Sequence, residues 1–392
     1  MATGTWSFAL SFLVFLLIVF ISEATAARLR YFLSMPLLFG AIFFAGFALG
    51  WLPQDMLVSS NMVSVGTIAF NVLVIHSGTL IDFGLLWRRR RETALCLLSA
   101  AVMTAMLLLL LPKFIGRELA LLAPGAVVGG GASCAIGSRW SALKNPEISF
   151  FPWLIFMFQG LFAIPVLSWA MKREAARLCR QGDGSQVQPQ AGGGLTSCRG
   201  FVGQIPGRYK TTAYYLGTIM AVAMVNQLLQ STLLKNTAVN PNITALLLGM
   251  AVGNLGWMDK GPLFRSDSYG LLIISLMGLM ANNLAHIAPA ILWKLVGPAL
   301  LALALGNGIL WLCGWLLAKP LGLSPYAGII CVANSVMGFP VNRQLAADTA
   351  ATLPERFCAA AEGELLGLLN VGTVTVSNGL SILIVGIVSV LL

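Results

Sequence analysis

"VVGGGASCAIGSRWSAL" (residues 127–143) is the stretch on which the interpretation of the whole chain depends. Three consecutive glycines are followed by small and polar residues, although the surrounding sequence is rich in leucine. Glycine inside a helix is destabilising by roughly 0.5–1 kcal/mol relative to alanine, and it frees the backbone to turn. The stretch therefore predicts a break in an otherwise helical, apolar chain.

The composition identifies the class of protein. The chain has 392 residues, 58% of them hydrophobic and 10% charged, with a mean hydropathy of +0.85. A soluble domain carries about 25% charged residues, and about 20 apolar residues suffice for one transmembrane helix. Ten apolar runs lie at 6–22, 33–52, 63–86, 93–112, 149–171, 211–230, 242–257, 268–288, 291–318 and 360–391. The prediction is an all-α polytopic membrane protein, since the alternation of barrel strands is absent.

The charged residues and cysteines exclude other classes. The net charge is +10, but the basic residues lie at the ends of apolar runs, where they set orientation rather than bind nucleic acid. Seven cysteines show no CxxC spacing, so neither a metal site nor a disulfide framework is predicted. The first run is interpreted as a membrane helix rather than a cleaved signal peptide, because no basic residue precedes it.

Two parts of the chain resemble each other. "LGWLPQD" (49–55) recurs as "LGWMDKG" (255–261), and the glycine-rich stretch has a counterpart in "IICVANSVMGFPVNRQL" (329–345). Trp51 and Trp257 are 206 positions apart, and Ser133 and Ser335 are 202 apart. A nearly constant offset between distant landmarks indicates a duplicated unit.

The distribution of charge predicts the topology. If each unit crosses the membrane five times, and its broken segment enters without crossing, the two units have opposite orientations. The side that contains the central linker then holds 18 of the 24 lysines and arginines, which indicates the cytoplasm. The prediction is two inverted repeats of five transmembrane helices with both termini outside. The first is residues 1–171 with a re-entrant segment at 118–147, the cytoplasmic linker is 172–210, and the second is 211–392 with a re-entrant segment at 323–356.

The two broken segments are the predicted transport site. Irregular backbone at membrane depth occurs where it is buried in protein or lines a cavity, and matched interruptions in inverted halves indicate a central binding site. The predicted substrate-binding residues are Ser133, Cys134, Gly137, Ser138, Arg139, Asn334, Ser335, Gly338, Asn342 and Arg343. The predicted cation-binding residues are Gly129, Gly130, Gly131, Asn71 and Pro340. An alternative is that the small residues only allow close helix packing. The two arginines either hold a carboxylate or anchor each segment at its aqueous end.

The order of these motifs resembles a known family. The order is "GGGASCAIGSRWSAL" and a helix, "SLMGLMANNLAHIAP" and a helix, then "AGIICVANSVMGFP", then "ERF" and a last helix. This order resembles the sodium/glutamate symporters and, more widely, the bacterial carboxylate symporters with two inverted five-helix halves. Trp140 and Ser141 match the end of that family's first segment. The family has glycine–histidine in each segment, where this chain has Ala132–Ser133 and Asn334–Ser335. The resemblance implies Na⁺-coupled uptake of a small anionic solute.

Four further polar residues stay open between function and structure. His76 and His286 lie in matching runs and either border a pathway or bond to a neighbouring helix. Glu362 and Glu364 open the last run and are either ion ligands or carboxylates favoured at a helix start.

The leading hypothesis is a secondary active transporter without a cofactor, with Na⁺ as the coupling ion. One alternative is a passive channel or an exporter of small organic anions. Another is an intramembrane serine hydrolase, since "GASCA" (131–135) fits a Gly-x-Ser-x-Ala pattern, although such a serine needs a base within reach. No GxxxxGK[ST] motif for ATP is present. Expected partners are a small anionic substrate and the bilayer of the inner (plasma) membrane. No nucleic acid is expected, and a homodimer is an open alternative.

Overall fold

The computed structural model describes residues 6–29, 32–180, 204–235, 237, 239–334 and 341–391, and all of the regular structure in these ranges is helical. The first part of the chain forms α1 (Phe8–Arg28), α2 (Met35–Ala48), α3 (Met56–Ser59), α4 (Met62–Leu80), α5 (Phe83–Arg88), α6 (Arg90–Leu110), α7 (Pro112–Ile115), α8 (Arg117–Val127), α9 (Gly131–Lys144) and α10 (Phe151–Arg180). A 3₁₀ turn at Pro146–Ile148 precedes α10.

The second part begins with a 3₁₀ turn at Gly207–Tyr209. It forms α11 (Thr212–Ser231), α12 (Pro241–Asn254), α13 (Pro262–Arg265), α14 (Tyr269–Ala285), α15 (Pro289–Ala318), α16 (Pro325–Ala333), α17 (Val341–Ala350), α18 (Glu355–Gly372), a π-helical segment (Thr373–Leu380) and α19 (Ser381–Leu391). Helix α18, the π-helical segment and α19 follow one another without a gap.

The helices agree with the membrane class. Within the described ranges, seven helical stretches are long and apolar enough to cross a membrane, and α2 and α14 are shorter apolar helices. Each of the ten predicted apolar runs coincides with one principal helix or, in the last run, with α18 to α19. The all-α part of the prediction is therefore confirmed in the described ranges, and the apolar helices are consistent with a polytopic membrane protein.

Local sequence accounts for several helix starts. The side chains of Ser7, Thr211 and Ser324 each accept a hydrogen bond from the backbone N–H three residues ahead, and Asn240 accepts one from Asn242. Such N-caps satisfy backbone donors that have no partner inside the helix. Proline directly follows the cap in α12, α15 and α16, where its fixed φ suits the first turn.

Residues with positive φ recur at a constant spacing. Gly50 and Gly256 have φ of 71° and 73°, Gly116 and Gly322 have 83° and 73°, and the non-glycine pair Asn61 and Asp267 has 59° and 53°. The members of each pair are 206 positions apart, as are Trp51 and Trp257. Helices α2 and α12 have the same length, and their first and last residues are also 206 apart. The two parts of the chain therefore share these three turns and this helix at one spacing, although Gly261 (φ 61°) has no positive-φ counterpart in the first part.

The helices pack into two bundles. The first bundle contains α1 to α4 and α11 to α14, with α4 packed between α12 and α14. The second contains α6 to α10 and α15 to α19, with α15 packed against α6, α10 and α16. Fewer helices bridge the bundles, mainly α2 against α10, α12 against α19, α9 against α14, and α4 against the π-helical segment. Both broken segments, α8–α9 and α16–α17, belong to the second bundle.

Hydrogen bonds and one ion pair hold the end of α4 to the chain that follows α12. Leu263 N donates to His76 Nδ1 (3.4 Å), and Gly261 N donates to Thr79 Oγ1 (3.3 Å). Lys260 Nζ lies 2.7 Å from an oxygen of Asp82. Asp82 and Lys260 are 18% and 11% exposed, so their ion pair is poorly screened by water.

This ion pair makes stability depend on pH. Burial disfavours the charge of Asp82, but hydrogen bonding and attraction by Lys260 outweigh it and lower the pKa of Asp82 below its usual 3.8. A carboxylate whose pKa is lower in the folded than in the unfolded state stabilises the fold above about pH 4, and this contribution is lost as pH falls through the folded pKa. We expect Asp82→Asn to reduce the acid-side fall in Tm. The same substitution at Asp348, which is exposed on α17, is the control. If Tm falls equally steeply with decreasing pH in the wild type and in Asp82→Asn, the expectation is contradicted.

Candidate functional site

The first broken segment has the interruption that the glycines predict. Helix α8 ends at Val127, α9 begins at Gly131, and residues 128–130 are not helical. A Cβ on Gly129 would overlap both Gly125 O and Ser133 Cβ, so no side chain fits there. The break therefore requires glycine for close packing of the two helix ends.

Ser133 is buried and faces the last helix. Its Oγ lies 2.7 Å from Ser381 Oγ, and Ser381 Oγ donates in turn to the carbonyl oxygen of Ser377. Because the single hydroxyl proton of Ser381 is used in that bond, Ser133 is the donor to Ser381. The lone pairs of Ser133 Oγ are left to accept from a ligand.

The other predicted residues of this segment divide into buried and exposed. Cys134 and Gly137 are buried; Cys134 Sγ lies 4.0 Å from Ala126 O, and a Cβ on Gly137 would lie 3.2 Å from Pro152 Cγ. Ser138 Oγ accepts from Asn283 Nδ2 of α14 (3.1 Å), which is a hydrogen bond between the two bundles. Arg139 is exposed at the next position of α9.

The second broken segment is described at its two ends. Asn334 is the C-cap of α16 and Asn342 is the second residue of α17, and both are buried. Arg343 is exposed, as is Arg139. The predicted residues Ser335, Gly338 and Pro340 lie outside the described residues.

Thr373 joins the two ends of this segment. Asn334 Nδ2 donates to Leu369 O (2.6 Å) and to Thr373 Oγ1 (2.7 Å), and Asn342 Nδ2 donates to the same Thr373 Oγ1 (2.9 Å). Among the described residues, no donor reaches the carboxamide oxygen of either asparagine. The structure thus brings Asn334 and Asn342 together at the first residue of the π-helical segment.

Three hydroxyl residues of the last helix were missed from sequence. Thr373, Ser377 and Ser381 are spaced four apart; Thr373 contacts the second broken segment, and Ser381, which is bonded to Ser377, contacts the first. Polar residues four apart share one face of a helix, so this periodicity in an apolar run could have identified them. Single turns of π-helix occur often at functional sites, and here eight residues have this conformation.

Asn71, another predicted cation ligand, is not joined to Thr373, Ser377 or Ser381 by a hydrogen bond. It is exposed on α4, and no hydrogen bond of Asn71 is present within the described part of the chain. Gly130 and Gly131 lie at the first break, Gly131 partly exposed, and the Cβ position of Gly130 lies 3.6 Å from Ser377 Oγ.

The two histidines occupy different environments. The His76 ring packs edge-on against Phe264 at 4.8 Å and near Tyr269, and its Nδ1 accepts from Leu263 N at the start of α13. His286 is the exposed C-cap residue of α14. The contacts of His76 are those of a residue that fastens α4 to α13.

Glu364 forms an ion pair across the second bundle. Arg89 donates to both of its carboxylate oxygens, with Nη1–Oε1 at 3.1 Å and Nη2–Oε2 at 2.9 Å. Burial opposes the charge of Arg89, but Glu364 and Glu92 outweigh it and raise the pKa of Arg89. Glu362 is partly exposed, without a hydrogen bond in the described ranges.

The site that emerges combines two breaks with one polar face of the last helix. Ser133 and Ser138 come from the first segment, Asn334 and Asn342 from the second, and Thr373 and Ser381 from the last helix. These groups offer hydroxyl and amide oxygens, which suit hydrogen bonding to a small polar solute or coordination of a hard cation. No protein-family model matches this chain, and no curated protein matches it.

Proposed function

We propose that this chain is a secondary active transporter that couples Na⁺ to the symport of a small anionic solute, such as glutamate or another carboxylate, by alternating access. The observation that supports this most is the position of the two broken segments. Both lie in one bundle and offer buried polar groups, and both are linked to the same helix by Thr373 and Ser381. Broken helices of this kind form central sites in transporters.

We further propose that residues 1–171 and 211–392 are inverted repeats of five transmembrane helices, joined by a cytoplasmic linker at 172–210. The pairs of positive φ at a spacing of 206 support the duplication. The packing is matched as well, because α10 packs on α16 as α19 packs on α8, and α15 packs on α8 as α6 packs on α16. An odd number of crossings in each unit inverts the second, in agreement with the excess of basic residues on the linker side.

Alternating access would use the two bundles as its moving parts. The second bundle carries both broken segments, so its displacement against the first would carry the site with it. The Ser138–Asn283 hydrogen bond joins α9 to α14 across the bundles and would break in such a movement. Exposed Arg139 and Arg343 would attract the anionic solute or anchor each segment.

The test is transport by the purified full chain in liposomes, with a panel of carboxylates and amino acids. We expect uptake to follow an inward Na⁺ gradient and to persist when the pH gradient is collapsed. Flux that runs down the solute gradient alone would indicate the channel or exporter. Dependence on protons alone would contradict Na⁺ coupling and direct attention to Glu362 or Glu364.

Substitutions test the site within the same assay. Loss of one hydrogen bond to a charged solute costs about 1.5–3 kcal/mol, roughly tenfold to a hundredfold in affinity. We expect Ser133→Ala, which removes an acceptor for an N–H or O–H group of the solute, and Arg139→Gln, which removes a donor to its carboxylate, to weaken solute binding by that factor with a smaller effect on Tm. Unchanged affinity in both variants would exclude this site. The hydrolase alternative requires a base at Ser133, whereas its partner in the described structure is Ser381.

A further inference from the structure

The two asparagines at the ends of the second broken segment share one hydroxyl group. Thr373 Oγ1 accepts from Nδ2 of Asn334 at 2.7 Å and from Nδ2 of Asn342 at 2.9 Å. The same hydroxyl lies 3.3 Å from Leu369 O, to which it donates its proton. Thr373 therefore holds both amides close to one point at the end of α18.

This arrangement determines which end of each amide faces away from Thr373. Leu369 O can only accept, so the group of Asn334 that faces it at 2.6 Å must be the NH₂. The proton of Thr373 is directed to Leu369, so the NH₂ of Asn342 also faces the hydroxyl oxygen. The carboxamide oxygens of both asparagines are left for another partner.

Both oxygens are buried and lack a donor. Asn334 is 0% exposed and Asn342 is 2% exposed, and within the described residues neither Oδ1 has a hydrogen-bond partner. Burying an acceptor without a partner costs the desolvation free energy of that group. Such atoms therefore usually mark a site for water, an ion or a ligand. Two of them held by one hydroxyl indicate a built site.

The surroundings favour a cation without a high charge. Asn334 is the C-cap of α16, and a helix C-terminus carries partial negative charge. Amide oxygens are hard ligands. In the part of the chain that the structure describes, no group of three or more His, Cys, Asp or Glu residues could hold a metal ion. Neutral oxygen ligands suit an alkali cation better than a divalent or transition-metal ion.

We propose that Asn334 Oδ1 and Asn342 Oδ1 are two ligands of a Na⁺ ion, and that Thr373 is the residue that positions them. The inference rests on the proposed Na⁺-coupled transport and names residues of its coupling site. It moves these two asparagines from the predicted substrate site to the cation site. It also assigns a role to Thr373, which is not among the residues predicted from sequence.

The test is the Tm of the purified full chain in detergent, without any substrate, in NaCl and in choline chloride of equal ionic strength. Binding to the folded state alone raises Tm with ligand concentration. We expect Na⁺ to raise the Tm of the wild type. Asn342→Leu and Thr373→Val should weaken this Na⁺ effect roughly tenfold to a hundredfold in apparent affinity, the factor for one charge-assisted contact. Thr373→Ser and Asn342→Asp should retain it.

Asn307→Leu is the matched control. Asn307 is also fully buried and its Oδ1 also lacks a partner among the described residues, but its NH₂ donates to Leu303 O within α15. The Na⁺ effect should survive this change even if Tm falls. If Asn342→Leu folds in neither salt, the comparison uses Thr373→Val, which removes only the shared hydroxyl.

The outcomes separate this inference from the proposed function. If transport is driven by Na⁺ but Asn342→Leu and Thr373→Val keep the wild-type Na⁺ effect on Tm, the cation binds elsewhere and the proposed function stands. A Na⁺ effect that these variants abolish, in a protein without Na⁺-driven transport, would support the site and contradict the function. Equal stabilisation of the wild type by choline and Na⁺ would overturn the site.

Discussion

Replacing Arg89 with leucine is expected to lower the free energy of unfolding by about 2–3 kcal/mol. Exposed ion pairs contribute about 0–1 kcal/mol, whereas removal of one partner of a buried pair costs about 3–5 kcal/mol because a charge stays behind unpaired. Arg89 and Glu364 are 11% and 29% exposed and form two hydrogen bonds, so their pair lies between these limits. Reversible unfolding in detergent, followed by helix content, would measure the change.

A double-mutant comparison distinguishes loss of the pair from loss of packing. Arg89→Leu removes the ion-pair partner of Glu364 and Glu92, whereas Arg89→Leu combined with Glu364→Leu also removes the carboxylate that forms the shorter of the two contacts. The double variant should therefore be more stable than Arg89→Leu alone. Arg89→Lys should recover only part of the stability, because an ammonium cannot form the bidentate pair. If the separate effects of Arg89→Leu and Glu364→Leu on the free energy of unfolding add up to that of the double variant, the two residues are not coupled.

The helical elements could be predicted well from the sequence because hydropathy and turn residues report on local structure. The ten apolar runs coincide with the principal helices, and the two "LGW" motifs contain the paired glycines at positive φ, Gly50 and Gly256. Glycine is favoured at such positions for steric reasons. A spacing of 206 between landmarks is visible without any structure.

The partners of the polar residues could not be predicted, since they depend on tertiary packing. Arg89 and Glu364 are 275 positions apart, and nothing in either local sequence identifies the other. Thr373 and Ser381 lie in an apolar run, where hydroxyl residues commonly bond to the carbonyl one turn earlier. Both also have such a bond, so their contacts with the broken segments are additional to the ordinary one. The number of crossings and the inverted orientation stay predictions.

The contact between α15 and α16 should tolerate no side chain at Gly328. A Cβ at this position would overlap Gly314 O and would lie 2.7 Å from the Cβ of Ala318. The first of these is a backbone atom, which cannot move aside without displacing the helix. Small residues at such crossings let two helix backbones approach closely in a membrane. Overpacking of a core costs about 1–3 kcal/mol and occasionally more, so we expect Gly328→Ala to lower stability by at least that amount.

The matched control lies on α15 itself. Gly308 lies inside α15, and no atom of the described residues lies within 4 Å of a Cβ built on it, so Gly308→Ala should leave stability unchanged or raise it by up to about 1 kcal/mol. The two variants should also differ in Na⁺ response, because α16 ends at the Asn334 cap and a shift of this helix would move Asn334 away from Thr373. We therefore expect Gly328→Ala to lose part of the Na⁺-dependent rise in Tm, and Gly308→Ala to keep it. Equal Tm values for the two variants would contradict the close packing of α16 on α15.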